Sequence, residues 1–232
     1  MFNRLTRAFH AAFGPRRGPG RRPEKHLPYY KFLKAASAPG CPVCAQVGLA
    51  MEEWFENLLY ESANDLTLRP RFDANRGLCA RHVRTLCGRR EGDGLGVAVI
   101  HRNVLAAAAG ALGRGEAPPL NEGRCQACGH EADAEARYAG LIADFLGEED
   151  LRAALEASGG LCLRHASEVM RRSRAVPPWF AALHQGRAAA LLGTLERYIS
   201  SFELDADERR ARQSIEEELA WRGIAELLYG GE

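Results

Sequence analysis

Lysine is scarce: Lys25, Lys31 and Lys34 are the only lysines among 31 basic residues, and the rest are arginine. With alanine and glycine abundant, this reads as GC-rich coding rather than as a nucleic-acid signal. No apolar run approaches the roughly 18 uninterrupted residues of a membrane helix, and even the Ala-rich 104–112 run is short and contains glycine. The N-terminus lacks the apolar core and small-residue cleavage site of a secretory signal, so the expected compartment is the cytoplasm. No alternating strand pattern and no Asn-Gly hairpin occurs. No Ser/His/Asp set, phosphate loop or pair of catalytic carboxylates stands out, so a hydrolase or transferase has no support. What is present is ordinary for a globular chain of 232 residues: 46% apolar and 26% charged. That balance excludes wholesale disorder, collagen-like structure and a small disulfide scaffold.

Charge is unevenly placed. Residues 1–26 hold seven basic residues against Glu24, so the stretch carries +6 while the whole chain carries +1. The body is therefore mildly acidic, a poor general surface for nucleic acid. Phe2, Leu5, Phe9 and Phe13 recur at near-helical spacing, so residues 2–13 offer weak membrane-surface or partner contact. Residues 14–26 read as a Gly/Pro/Arg linker with no means of packing. The expected organisation begins with a disordered basic tail over 1–28.

The body contains an internal repeat. Displaced by 84 residues, Cys41 and Cys44 fall on Cys125 and Cys128, Ala50 on Ala134, and Trp54 on Tyr138. After a one-residue deletion, Gly77-Leu78-Cys79 falls on Gly160-Leu161-Cys162 and Arg81-His82 on Arg164-His165. His101 then matches His184, and Leu112 matches Leu195. Each copy reads as helical. Apolar residues at three- and four-residue spacing mark 42–63 and 126–146. Short helices follow at 66–74 and 148–157, third helices begin at Gly77 and Gly160, and fourth helices cover 95–112 and 178–203. The stretch 207–229 is amphipathic and ends at Gly230-Gly231. The fold class expected is all-α: two pseudo-repeat four-helix units over 29–113 and 114–204, then a C-terminal helix within 205–232.

Six of the seven cysteines lie in the duplicated pattern C-x2-C … C-x2-H. Each copy supplies three thiols and one imidazole, the set of a closed tetrahedral zinc site. The candidate ligands are Cys41, Cys44, Cys79 and His82, and Cys125, Cys128, Cys162 and His165. Cys41 precedes Pro42, as suits a helix start, and Cys79 and His82 share a face of a first helical turn. Helix N-termini favour thiolates through their free N–H groups and positive dipole ends. Disulfides would leave both histidines unexplained, and a cytoplasmic setting disfavours them. Two zinc ions per chain are expected, with an iron–sulfur cluster as the alternative. Local pairing within each copy is expected because short loops close at lower entropic cost. The alternative is exchange, with Cys41 and Cys44 joining Cys162 and His165.

Other residues carry weaker signals. Cys87 matches Met170 and reads as core. His130 lies near Cys128 and competes with His165 for a ligand place, but the first copy has Gln46 there. His101 and His184 read as core histidines with a satisfied hydrogen bond. Arg81 and Arg164 fall on the helix side away from the metal and read as solvated.

CPVC at 41–44, GLCARH at 77–82, CQAC at 125–128, GLCLRH at 160–165 and the ending from Ser214 to Gly230 resemble a bacterial and archaeal family of domains of unknown function with duplicated CPxC … GLCxxH motifs. The resemblance covers nearly everything after residue 28. It implies the helical fold and the metal ligands, and no activity. The basic tail is an addition to that pattern. The function expected is a metal-binding helical interaction module with a protein partner. A redox or metal-sensing role is the alternative, and nucleic-acid binding through the tail is the third reading.

Overall fold

The computed structural model describes residues 24–62, 72, 74, 76–88, 94–119, 125–202 and 222–230. Among them the chain is helical and contains no strand. The elements are α1 (Leu27–Ala35), α2 (Pro42–Asn57), which widens into a π turn over Leu58–Ser62, α3 (Ala80–Cys87) and α4 (Gly94–Gly113) in the first half. The second half has α5 (Gln126–Phe145), α6 (Glu149–Ser158), α7 (Leu163–Arg172), α8 (Pro178–Ser201) and α9 (Gly223–Tyr229). The all-α reading holds. Most of the first-copy helix expected at 66–74, most of the basic tail, including residues 2–13, and all of 207–221 lie outside the described residues.

Helix α1 was not foreseen. It starts inside the stretch read as tail, and the linker's end does pack. Lys25 Nζ lies 2.9 Å from a Glu148 carboxylate oxygen and 2.8 Å from one of Asp150. The Tyr29 hydroxyl donates to Asp150 at 2.6 Å. Tyr29 and Phe32 are fully buried and seat α1 on the body. Pairing two carboxylates at the start of α6 with one lysine suits the positive end of that helix as well.

α2 and α5 form the central pair. The Trp54 ring, near the end of α2, stacks on His130, near the start of α5, with centroids 6.0 Å apart. The two helices therefore run antiparallel, and the start of each lies beside the far part of the other. The core gathers around them from Val43, Val47, Phe55, Ile142, Leu151, Leu155, Val169 and Phe180.

α4 differs from its neighbours. It runs for 20 residues, with mean hydropathy 1.5 in its most apolar window, of which 11% is buried. By length and composition alone this helix reaches what a membrane span needs, although no uninterrupted apolar run in the sequence does. Arg102 and Asn103 interrupt the run at its middle. Leu95, Leu105 and Leu112 stand exposed on it.

Candidate metal centre

Four helices start at a cysteine. Cys41, Cys79, Cys125 and Cys162 each take extended backbone angles at the N-cap of α2, α3, α5 and α7. Their carbonyls accept the first helical hydrogen bonds, from Ala45, Val83, Gly129 and Ala166. The second ligand of each pair, Cys44, His82, Cys128 or His165, lies three residues on, at the same face of the first turn. Each helix N-terminus thus aims two donor groups and its free N–H groups at one point.

The eight predicted residues assemble into two groups of four. One is Cys41, Cys44, Cys162 and His165; the other is Cys79, His82, Cys125 and Cys128, with all ligand atoms of a group within 4.8 Å of one another. Local pairing is therefore overturned, and the exchanged arrangement is the one found. The entropic argument assumed a flexible loop between the two motifs of a copy. Its first part is instead a rigid rod: the 16 residues of α2 carry the chain about 24 Å from its own C-x2-C at 1.5 Å per residue. That delivers the first copy's C-x2-H to the start of α5. α5 does the same for the second copy and delivers Cys162 and His165 to the start of α2.

The distances suit one small ion per group. His165 Nδ1 lies 3.4, 3.4 and 3.2 Å from the sulfurs of Cys41, Cys44 and Cys162. His82 Nδ1 lies 3.3, 3.4 and 3.4 Å from those of Cys79, Cys125 and Cys128. Cys79 and Cys128 sulfurs are 3.7 Å apart. A tetrahedron with usual zinc bond lengths has edges of about 3.8 Å between sulfurs and about 3.6 Å between sulfur and nitrogen. The thiol chemistry also calls for a cation. Hydrogen bonds with Cys162 and Cys44 push the Cys41 thiol far down, and hydrogen bonds with Cys162 and Cys41 push Cys44 far up. Three sulfurs so close cannot all ionise without a positive charge between them. At Cys79 burial opposes the thiolate, but N–H groups of His82 and Arg81 and the neighbouring thiols outweigh it and hold the thiol below its usual range.

Both imidazoles turn Nδ1 to the sulfurs and Nε2 to a glutamate. His82 Nε2 faces Glu131 at 3.6 Å, and His165 Nε2 faces Glu135 at 3.6 Å. With Nδ1 as ligand, the remaining proton sits on Nε2 and points at a carboxylate, which fixes the ring and raises its basicity. Each glutamate is held in turn by an arginine. Arg81 grips Glu131 with both guanidinium nitrogens, one at 2.8 Å, and Arg164 pairs with Glu135 at 2.7 Å. Arg81 and Arg164 are thus not merely solvated, as their helix position suggested. Glu131 and Glu135 were missed in the sequence. Their signal was asymmetry: the first copy has Val47 and Met51 at the matching positions, so carboxylates stand where the other copy has core residues.

Gly230 was also missed as a site residue. It ends α9 with φ +87, ψ 169, and a Cβ there would overlap the Cys44 sulfur. The Tyr229 carbonyl lies 4.0 Å from the same sulfur. The end of α9 therefore lies on the Cys44 side of this centre.

The remaining candidates fall outside both groups. Cys87 is exposed, not core, because the end of α3 projects past the core face that carries Leu86. His130 stacks on Trp54 rather than ligating. His184 donates through Nδ1 to the Phe180 carbonyl at 2.7 Å and accepts the Leu161 N–H at Nε2 at 3.0 Å. It so pins the loop before Cys162. Gly160, at φ +84, lies against that ring, where a Cβ would crowd His184 Nε2 at 3.1 Å. His101 makes the Nδ1 bond to Val97 at 2.9 Å, but its buried Nε2 has no hydrogen-bond partner among the described residues.

No family model matches the chain, and no solved structure matches it. It is similar to an uncharacterised 23.9 kDa protein in the xynA 3′ region of Caldicellulosiruptor sp. (strain Rt8B.4), with 29% identity over 142 residues, 59% of this chain and 68% of that protein.

Proposed function

We propose that this chain is a two-zinc helical protein in which the metals join its two halves, leaving a rigid body that serves as a protein-binding module. The observation that carries the reading is the pair of closed Cys3His groups, each with its ligand atoms within 4.8 Å. That all four ligand atoms of each group lie within 4.8 Å of one another supports a single ion at each place, since a multi-iron cluster spreads its set of four ligands further apart. Four protein ligands leave no position for substrate or activated water, which supports a role in folding over one in catalysis. The described cysteines are all free of disulfides, in keeping with a reducing compartment and the cytoplasm. The exposed apolar residues of α4 support a partner surface there.

The test is native mass spectrometry with elemental analysis of protein purified without oxygen. Two zinc ions per chain and no colour are expected. A mass equal to the bare polypeptide after zinc reconstitution, or brown iron-containing protein, overturns the reading.

A further inference from the structure

The two centres are not equally open. In the Cys41/Cys44/Cys162/His165 centre, Cys41 and Cys162 are 8% and 1% exposed; Cys44 is half-buried and faces the groove between the centres, with the end of α9 against its sulfur. In the other centre Cys125 is buried while Cys79 and Cys128 are half-buried, and the sulfurs of these two are neighbours at 3.7 Å. Oxidation of a zinc thiolate needs a sulfur that an oxidant can reach and a second sulfur close enough to resolve the product. Cys44 with its buried neighbours meets this with one half-buried cysteine, against whose sulfur the end of α9 lies; in the Cys79/Cys128 pair both cysteines are half-buried, so either can be attacked and the other can resolve the product.

From this asymmetry we infer that Cys79 and Cys128 form a thiol oxidation site for hydroperoxides. The inference rests on the two-zinc reading above. In the first step one of the two thiolate sulfurs attacks the terminal peroxide oxygen. An S–O bond forms, the O–O bond breaks, and the departing alkoxide or hydroxide takes a proton to become alcohol or water. The second thiolate then attacks the sulfenic sulfur. An S–S bond forms, and hydroxide leaves as water after taking a proton. Two thiolates lose two electrons in all, and the peroxide gains them. His82 and Cys125 alone hold zinc poorly, so the ion departs. The new bond runs between Cys79 in the first half and Cys128 in the second, so the halves stay tied together. What changes is the groove of about 620 Å³ between the centres, which Arg81, His82 and Glu131 help to line. With the ion gone, His82 is released from its anchored orientation and the Arg81–Glu131 pair loses its fixed neighbour. The oxidation site is thereby coupled to the shape of a surface groove.

The test uses the full chain carrying Cys87→Ser, which removes the exposed cysteine that takes no ligand place. Zinc content is measured first, and the protein is then titrated with hydrogen peroxide while a zinc-binding dye reports release. The expected result is two zinc ions at the start, one released per first equivalent of peroxide consumed, and a Cys79–Cys128 crosslink in the non-reducing peptide map. Thiol reductant with added zinc should restore the second ion. A chain with two zinc ions that releases both together, or whose first crosslink lies among Cys41, Cys44 and Cys162, or that releases none with peroxide in large excess, overturns this inference alone. A chain that never takes up zinc overturns the metal reading itself, and this inference with it.

Discussion

The two centres use the same parts and enclose them differently. Each takes a C-x2-C from one helix start, a C-x2-H from another, and a glutamate of α5 behind the imidazole. One centre has a single half-buried cysteine, Cys44, with the end of the last helix against its sulfur, while the other has two, Cys79 and Cys128. The outer shell also breaks the symmetry of the ligands. Glu131 and Glu135 both come from α5, and the matching positions on α2 are Val47 and Met51, which are buried. α5 therefore gives two thiols and a carboxylate to one centre and a carboxylate alone to the other. What the difference teaches is that one ligand set can be enclosed in two ways, and on the two-zinc reading the enclosure is what separates the centres.

The most severe way to break the comparison is to remove a ligand. Structural zinc contributes on the order of 10 kcal/mol to folding, comparable with the whole stability of a domain. Cys162→Ser should empty the α9-side centre and leave one zinc per chain. Because the centre joins α2 to α7, helix loss should appear in both halves rather than in the second alone. Elemental analysis and hydrogen exchange across the chain check this. Protection lost only after residue 125 would restore local units. By the same logic, residues 24–119 or 125–232 expressed alone hold ligand pairs from two different centres and should show little cooperative melting.

Gly230→Ala should come next. Its backbone lies in a region reserved for glycine, where another residue costs about 1–3 kcal/mol, and the added methyl would displace the Cys44 sulfur besides. The expected outcome is reversal: under chelator competition the α9-side centre should become the first to lose its ion. An unchanged order of release would show that α9 does not protect Cys44.

Neutralising the carboxylates should have a graded effect. Removing a group that orients a ligand histidine typically weakens metal binding by about 10–100-fold. Glu131→Gln should do this at the Cys79 centre and Glu135→Gln at the Cys162 centre, each sparing the other. Competition titrations with a zinc chelator separate the two constants. Equal weakening of both by either change would show that α5 transmits the effect as a unit.

The smallest effect concerns the docking of α1. Burial opposes ionisation of Asp150, but hydrogen bonds from Lys25 and Tyr29 outweigh it and hold its carboxyl below the usual 3.8. A carboxyl depressed in the folded state stabilises above its unfolded pKa and loses that contribution as pH falls through the folded value. Tyr29→Phe should cost about 1–2 kcal/mol at neutral pH, and the gap to the parent should narrow below about pH 4. Thermal melts at fixed zinc across that range measure it. A gap independent of pH would show that Tyr29 contributes by packing alone.

The eight residues that gather into the two groups were legible because a tetrahedral thiolate site restricts residue type and spacing so strongly. The helices from 42, 126 and 178 were legible for a similar reason, since apolar spacing and Pro42 or Pro178 mark their starts. Which ligands share an ion was not legible. That depends on α2 and α5 lying antiparallel, a packing fact that spacing within one copy does not encode. α1 was hidden because Leu27-Pro28 follows a Gly/Pro/Arg stretch, and its anchor, Asp150, is more than a hundred residues away. Gly230 was read as a helix stop, which it is. Its second role needed the position of Cys44.

The crossed ligand sets have a consequence for how such a chain can arise and assemble. A polypeptide carrying one copy owns two half-sites and no whole one. Two such polypeptides facing each other across an α2–α5-like pair would complete two identical centres, so the monomer would be metal-free and the dimer would carry both ions. Joining the copies through 114–124 turns that dimer into a single chain and makes assembly independent of concentration. The join also released the halves from identity: one could acquire Glu131 and Glu135, and the end of one chain could settle over one centre only. The same geometry leaves a route back, since two full-length chains that trade halves would satisfy every ligand, with four ions shared between them.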